Sequence, residues 1–146
     1  MSLYGTDLLA LLPELIIVVT ACLVLALDPI TPASRRDLLA WLSVGALALC
    51  IGLTGWQIGV LNVRVSAFSD LVVIDAYARF WKILLYGVTG VIILLSLPYL
   101  KAERIHLGEY YGFILLALSG MMVMVSGADL LTIYLGTELM SISLYV

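Results

Sequence analysis

The chain has 146 residues, of which 64% are hydrophobic and only 12% are charged, and its mean hydropathy is +1.18. A soluble globular domain carries about 25% charged residues, so this composition excludes an ordinary soluble domain and indicates a membrane protein. The net charge of −3, without any basic tract, gives no sign of nucleic acid or of an acidic substrate as a partner.

Five long apolar runs follow one another along the chain, and each predicts a transmembrane helix. A helix needs about 20 apolar residues to cross the hydrocarbon core. Stretches such as VGALALCIGL do not alternate apolar and polar residues as barrel strands do. The predicted helices cover residues 8–27, 38–60, 80–100, 110–128 and 130–146. The last run is slightly short, so we expect a truncated fifth helix in an all-α, polytopic transmembrane bundle that forms a single membrane domain.

The first run contains Pro13 and Glu14 near its start. Proline suits the first helical turn because its missing amide hydrogen is not needed there, and a carboxylate suits the positive end of the helix dipole. We therefore interpret Glu14 as a capping and interface charge.

The connection between the second and third runs is the longest. Its stretches NVRVSAF and LVVID are rich in β-branched residues, which favours a short hairpin. Asp75, Arg79 and Lys82 follow at spacings of four and three, so they share one helix face. We expect interfacial ion pairs or snorkelling anchors there. In the fourth connection, SGAD, we expect Gly127 to end one helix and Asp129 to cap the next.

Small residues inside the runs are interpreted as packing residues. Cys22 and Cys50 have no CxxC spacing, so we expect neither a disulfide nor a metal site. Close helix packing is expected at the glycines of the second and third runs, namely Gly45, Gly52, Gly55, Gly87 and Gly90.

The placement of lysine and arginine predicts the orientation. The first and third connections hold Arg35, Arg36, Lys101 and Arg104, whereas the second holds Arg64 with two more cations at its edge. Because cytoplasmic loops are enriched in basic residues, we expect the first and third connections to be cytoplasmic and the N-terminus to be periplasmic.

Glu138 is the strongest candidate for a functional residue. It is the ninth residue of the last run, about 12 Å along a helix and thus near the bilayer midplane. Tyr134, Ser141 and Tyr145 lie on the same helix face at spacings of four, three and four. A carboxylate at this depth should face protein or water. A proton or ion relay is one interpretation, and a neutral acid that hydrogen-bonds neighbouring helices together is the other.

The last third of the chain resembles a known family. DLLTIYLGTELMSISLYV, residues 129–146, is similar to the fifth helix of subunit N of the proton-pumping NADH–quinone oxidoreductases, respiratory complex I. LLPELIIVVTACLVLALD, residues 11–28, resembles the first helix of that family, and VIDAYARFWKILL, residues 73–85, resembles the start of the third. The chain therefore looks like the N-terminal part of an antiporter-like subunit, related to Mrp-type antiporter subunits.

The resemblance implies a proton-translocating membrane-arm subunit of a translocase, coupled to electron transfer from NADH to quinone elsewhere in the complex. It implies that Glu138 is the glutamate that the family pairs with a lysine on its seventh helix. That helix lies outside this sequence, and Lys82 and Lys101, near the ends of their runs, are not expected to replace its lysine. A cation/proton antiporter of the Mrp type, a hydrogenase membrane subunit, and a structural or assembly subunit without transport are the alternatives.

The resemblance also implies what this chain works with. We expect no redox centre, metal or cofactor in the chain, since NADH, FMN, iron–sulfur clusters and quinone would belong to the assembled complex. The expected partners are other membrane subunits and the lipid bilayer, in a bacterial inner membrane.

Overall fold

The computed structural model describes residues 11–32, 37–60, 65–67, 71–102 and 108–145. Within these ranges the chain forms five α-helices and one two-stranded antiparallel sheet, which confirms the predicted all-α bundle. The helices are α1 (Leu12–Leu27), α2 (Asp37–Val60), α3 (Ala76–Ala102), α4 (Glu109–Ser126) and α5 (Leu130–Tyr145), and the strands are β1 (Val65–Ala67) and β2 (Val72–Ile74).

Three of the described helices, α2, α3 and α4, are long and apolar enough to cross a membrane. The helices α1 and α5 are apolar too, but each has 16 described residues. At 1.5 Å per residue they are about 24 Å long, compared with a hydrocarbon core of about 30 Å. Residues 8–10, where the sequence predicts the start of the first helix, lie outside the described residues.

The third helix begins at Ala76, four residues before the predicted start. Asp75 precedes it, and its Oδ1 accepts a hydrogen bond of 2.8 Å from the backbone N–H of Ala78. Its carbonyl oxygen accepts one of 3.0 Å from the N–H of Arg79. Asp75 therefore caps the helix, because it satisfies amides that the first turn leaves without partners. Hydropathy alone missed this turn, since its residues include the cation Arg79 and the amphipathic Tyr77 at the edge of the apolar run.

The predicted hairpin is present. Strands β1 and β2 pair antiparallel, with Val65 opposite Ile74 and Ala67 opposite Val72. The hairpin also contacts the turn between α4 and α5, where the N–H of Ala128 donates a 3.1 Å hydrogen bond to the carbonyl of Leu71. The hairpin therefore lies at the end of the bundle where α1, α3 and α5 begin and where α2 and α4 end.

The turn between α4 and α5 uses the two residues that the sequence predicts. Gly127 is the C-cap of α4. Asp129 precedes α5. Its side-chain Oδ1 accepts a 2.9 Å hydrogen bond from the N–H of Leu130, and its backbone carbonyl oxygen accepts a 3.1 Å hydrogen bond from the N–H of Ile133. The capping role predicted for Asp129 is thus confirmed.

Helix α4 is the centre of the bundle, because it packs against α1, α3 and α5. The helix α2 packs on α1 and α3. The core between them consists of side chains that are almost fully buried, among them Ile17, Leu47, Tyr86, Leu118 and Met122.

Close backbone packing occurs at different glycines from those predicted. A Cβ atom on Gly120 would stand 2.6 Å from the backbone nitrogen of Met140, and one on Gly112 would stand 2.6 Å from the side chain of Leu25. In contrast, a Cβ atom on Gly90 would stand 3.9 Å from the side chain of Leu47, which is an ordinary contact. The described structure leaves open space at the four other predicted glycines, namely Gly45, Gly52, Gly55 and Gly87. The described helices therefore do not pack closely at the predicted glycines of α2 and α3, because which face of a helix meets a neighbour is set by the whole bundle.

Candidate functional site

The polar stripe of α5 lies on the open face of that helix. Glu138 is exposed, Tyr134 and Tyr145 are 59% and 89% exposed, and Ser141 is partly buried. The side chains of Tyr134 and Glu138 lie within hydrogen-bonding reach, as expected one helical turn apart. The sequence prediction that these residues share one side of the helix agrees with this arrangement.

The opposite face of α5 packs against α4. Gly136 and Ser143 are buried there, and Met140 is close to the backbone of Gly120. The helix thus has a contact face made of small residues and an open face that carries a carboxylate. The four other described helices do not cover the Glu138 face.

A second pair of charged residues lies inside the bundle. The ammonium Nζ of Lys82 in α3 donates a hydrogen bond to Oε1 of Glu14 in α1. The side chain of Lys82 is 2% exposed and that of Glu14 is 10% exposed. This ion pair joins two residues that are 68 positions apart along the chain and lie in different helices.

The pair corrects two predictions. Glu14 is in the first turn of α1 next to Pro13, as predicted, but it is a buried ion-pair partner and not an interfacial capping charge. Lys82 is not a snorkelling anchor, because its amine points inward to Glu14 and not along the helix to water. Arg79, one turn earlier, is also buried, with 4% exposure.

Three further polar side chains surround the pair. The thiol of Cys50 donates to the carbonyl oxygen of Pro13 over 3.6 Å. The carboxylate of Glu14 lies close enough to act electrostatically on both Cys50 and the buried phenol of Tyr86. Tyr86 in turn lies beside Thr54 of α2. We name Glu14, Cys50, Thr54, Lys82 and Tyr86 the buried polar cluster.

Three oxygens of the buried polar cluster lack a hydrogen bond of normal geometry within the described part of the chain. They are Oε2 of Glu14, Oγ1 of Thr54 and the hydroxyl of Tyr86. Buried oxygens of this kind are rare in proteins, and each unsatisfied group costs about 1–3 kcal/mol. Each of these oxygens can therefore accept a further hydrogen bond.

The sequence contains a signal for this cluster. The first predicted run has one charged residue, Glu14, and the third has one of opposite sign, Lys82. Single charges in apolar helices are costly, so each would be expected to seek the other. The spacing of four between Cys50 and Thr54, and between Lys82 and Tyr86, also puts each pair on one helix face.

Known proteins resemble the chain along nearly its whole length, although no protein-family model matches it. It is 40% identical over 142 residues to NADH-quinone oxidoreductase subunit N of Trichlorobacter lovleyi and 38% identical over 143 residues to that of Thioalkalivibrio sulfidiphilus. It is 38% identical over 138 residues to NADH-quinone oxidoreductase subunit N 2 of Rhizobium meliloti. These alignments cover 96%, 95% and 94% of the chain, respectively.

The chain spans 28% of the length of each of these curated relatives. The names of the relatives agree with the resemblance seen in residues 129–146, and the alignments extend it to the other four helices. Along nearly its whole length, the chain is homologous to a part of NADH-quinone oxidoreductase subunit N.

Proposed function

We propose that this chain is part of the proton-translocating membrane arm of an NADH–quinone oxidoreductase, and that Glu138 binds and releases the translocated proton. The observation that carries the proposal is the carboxylate of Glu138 in the middle of an apolar helix, on the face that the other described helices leave open. The names of the relatives supply the class of complex.

The position of Glu138 makes proton exchange chemically reasonable. It lies about 12 Å along α5, where a lipid-facing charge would be expensive. The open face therefore requires a polar covering, either other polypeptide or water. A carboxyl group there stays ionised only while a cation or hydrogen-bond donors stabilise it, so movement of such a partner changes its proton affinity.

The neighbours of Glu138 suit this role. Tyr134 reaches its carboxylate from one turn earlier, and Ser141 lies one turn later on the same side. Hydroxyl groups both donate and accept hydrogen bonds, so they can pass a proton to a carboxylate or take one from it. In this proposal the chain carries no electrons, and the oxidation of NADH takes place in other subunits.

Exchange of Glu138→Gln in the assembled oxidoreductase tests the proposal. Glutamine keeps the size and hydrogen-bonding capacity of the side chain but cannot be ionised. In lipid vesicles we expect fewer protons translocated per NADH oxidised, with the complex still assembled. Glu109→Gln is the matched control, because Glu109 is also an exposed helical glutamate but lies at the first turn of α4. Glu109→Gln should leave the number of protons translocated per NADH oxidised unchanged.

The same variants decide between the alternatives. Normal proton translocation in the Glu138→Gln complex, together with a low yield of assembled complex, would show that Glu138 holds helices together and carries no protons. Proton uptake that depends on a sodium gradient and not on NADH would instead indicate an antiporter. For the assembled complex we also propose a bacterial inner membrane, with the hairpin end of the bundle on the periplasmic side.

A further inference from the structure

The ion pair between Glu14 and Lys82 is not required by the role proposed for Glu138. The two sites are on different helices, and α4 lies between α1 and α5. Lys82 lies about 9 Å along α3 and Glu138 about 12 Å along α5, both counted from the hairpin end of the bundle. Glu14, in the first turn of α1, lies closer still to that end, so the ion pair is nearer the hairpin end of the bundle than Glu138 is.

A purely structural role explains this pair poorly. Removing two charges from water costs several kcal/mol per ion, and the attraction between them offsets this cost only when the remaining lone pairs are also satisfied. Here Oε2 of Glu14 has no hydrogen-bond partner within the described part of the chain. Well-packed apolar side chains would hold α1 and α3 together at least as well.

Further polar groups near the pair come from α2 and α3. Helix α2 contributes the Cys50 thiol, and α3 contributes the Tyr86 phenol, beside which lies the Thr54 hydroxyl of α2. A proton that binds to Glu14 therefore lies beside the Lys82 ammonium and removes its counter-charge, which favours the release of a proton from Lys82.

We propose that Glu14 and Lys82 form a second proton-carrying site, in the N-terminal bundle and separate from Glu138. This inference rests on the proton translocation proposed above. A proton binds to the free Oε2 of Glu14 and converts the carboxylate to the acid. Lys82 then lacks its counter-charge and releases a proton from Nζ, which leaves a neutral amine.

A transfer within the pair completes the cycle. The proton on Glu14 moves to the amine of Lys82, and the carboxylate and ammonium are restored. One proton has entered and one has left, so charge and atoms balance. Tyr86, one turn from Lys82 on α3, and Thr54 beside it supply hydroxyls that can accept the released proton and pass it on.

The double exchange Glu14→Gln with Lys82→Met in the assembled oxidoreductase tests this inference. It removes both charges at nearly constant volume, so neither partner is left as an unpaired buried ion. In lipid vesicles we expect a loss in the number of protons translocated per NADH oxidised. A normal ratio in a normally assembled complex would overturn the inference and leave the pair as a structural contact.

Glu14→Asp provides a second measurement if the double variant assembles poorly. It keeps the charge, and infrared spectra taken at alkaline and acidic pH report the carbonyl band of any carboxyl group that takes up a proton. We expect the frequency of this carbonyl band in the Glu14→Asp complex to differ from its frequency in the unaltered complex. Identical bands would show that Glu14 does not exchange protons, which also overturns the inference.

The Glu138→Gln variant separates the two proposals. If Glu138→Gln reduces translocation and the Glu14/Lys82 double variant does not, the function proposed for α5 stands and this inference fails. If the unaltered complex translocates no protons, the proposed function fails first.

Discussion

The backbone carbonyl oxygen of Gly136 lies 2.7 Å from the position that a Cβ atom on Gly120 would occupy. The reverse distance, from a Cβ on Gly136 to the carbonyl oxygen of Gly120, is 2.8 Å. The helices α4 and α5 therefore meet backbone to backbone, which only residues without a side chain permit. This contact holds the helix that carries Glu138 on the bundle and turns its polar stripe outward.

We expect Gly120→Ala to destabilise the contact between α4 and α5. The new methyl group would collide with backbone atoms that cannot move independently, and overpacking of this kind costs about 1–3 kcal/mol. Thermal unfolding of the protein in detergent measures the effect. Gly52→Ala is the matched control, since the described structure leaves open space there and alanine is the better helix former. Equal melting temperatures for the two variants would contradict the packing described above.

Exchange of one partner of the buried ion pair should be far more costly than exchange of both. Lys82→Met leaves the Glu14 carboxylate buried without its counter-charge, and such losses are about 3–5 kcal/mol. Adding Glu14→Gln to this variant should restore most of the lost stability. A double-mutant cycle based on the free energies of unfolding measures the coupling. Additive effects of the two exchanges would show that the side chains do not interact.

The cap of α5 should depend on the side chain of Asp129. Asp129→Ala removes the acceptor of the 2.9 Å hydrogen bond from the N–H of Leu130 and should cost about 1 kcal/mol. Hydrogen exchange of the amides in the first turn of α5 should become faster. Asp129→Asn is the control, because asparagine caps helices as well as aspartate does. If both variants exchange like the unaltered protein, the cap does not stabilise the helix.

The buried hydroxyl of Tyr86 should not stabilise the fold. It has no hydrogen bond of normal geometry within the described part of the chain, so Tyr86→Phe should leave the free energy of unfolding unchanged or raise it by up to about 1–3 kcal/mol, the cost of an unsatisfied buried group. Tyr86→Ala removes the ring as well and should cost about 3–5 kcal/mol. A large loss on Tyr86→Phe would mean that the hydroxyl has a strong partner. If the buried polar cluster carries protons, Tyr86→Phe should reduce translocation without this loss of stability.

Local features of the sequence were sufficient to predict much of this protein. Apolar runs predict five helices because a bilayer demands about 20 apolar residues and internal backbone hydrogen bonds. The cap at Asp129, the end at Gly127 and the hairpin before α3 follow from residue types within a few positions of each feature. The common face of Tyr134 and Glu138 follows from the helical period.

The tertiary structure alone decided which faces of the helices are buried. The sequence shows one charge in each of two runs. Their pairing required α1 and α3 to pack against the same two neighbours, α2 and α4, which brings Glu14 and Lys82 together. Glycines are present in four of the helices, yet only those at the crossings of α4 admit a neighbouring backbone or side chain at close range. Helix formation depends on neighbours along the chain, whereas burial depends on residues that are distant in sequence, and no local pattern encodes which helices meet.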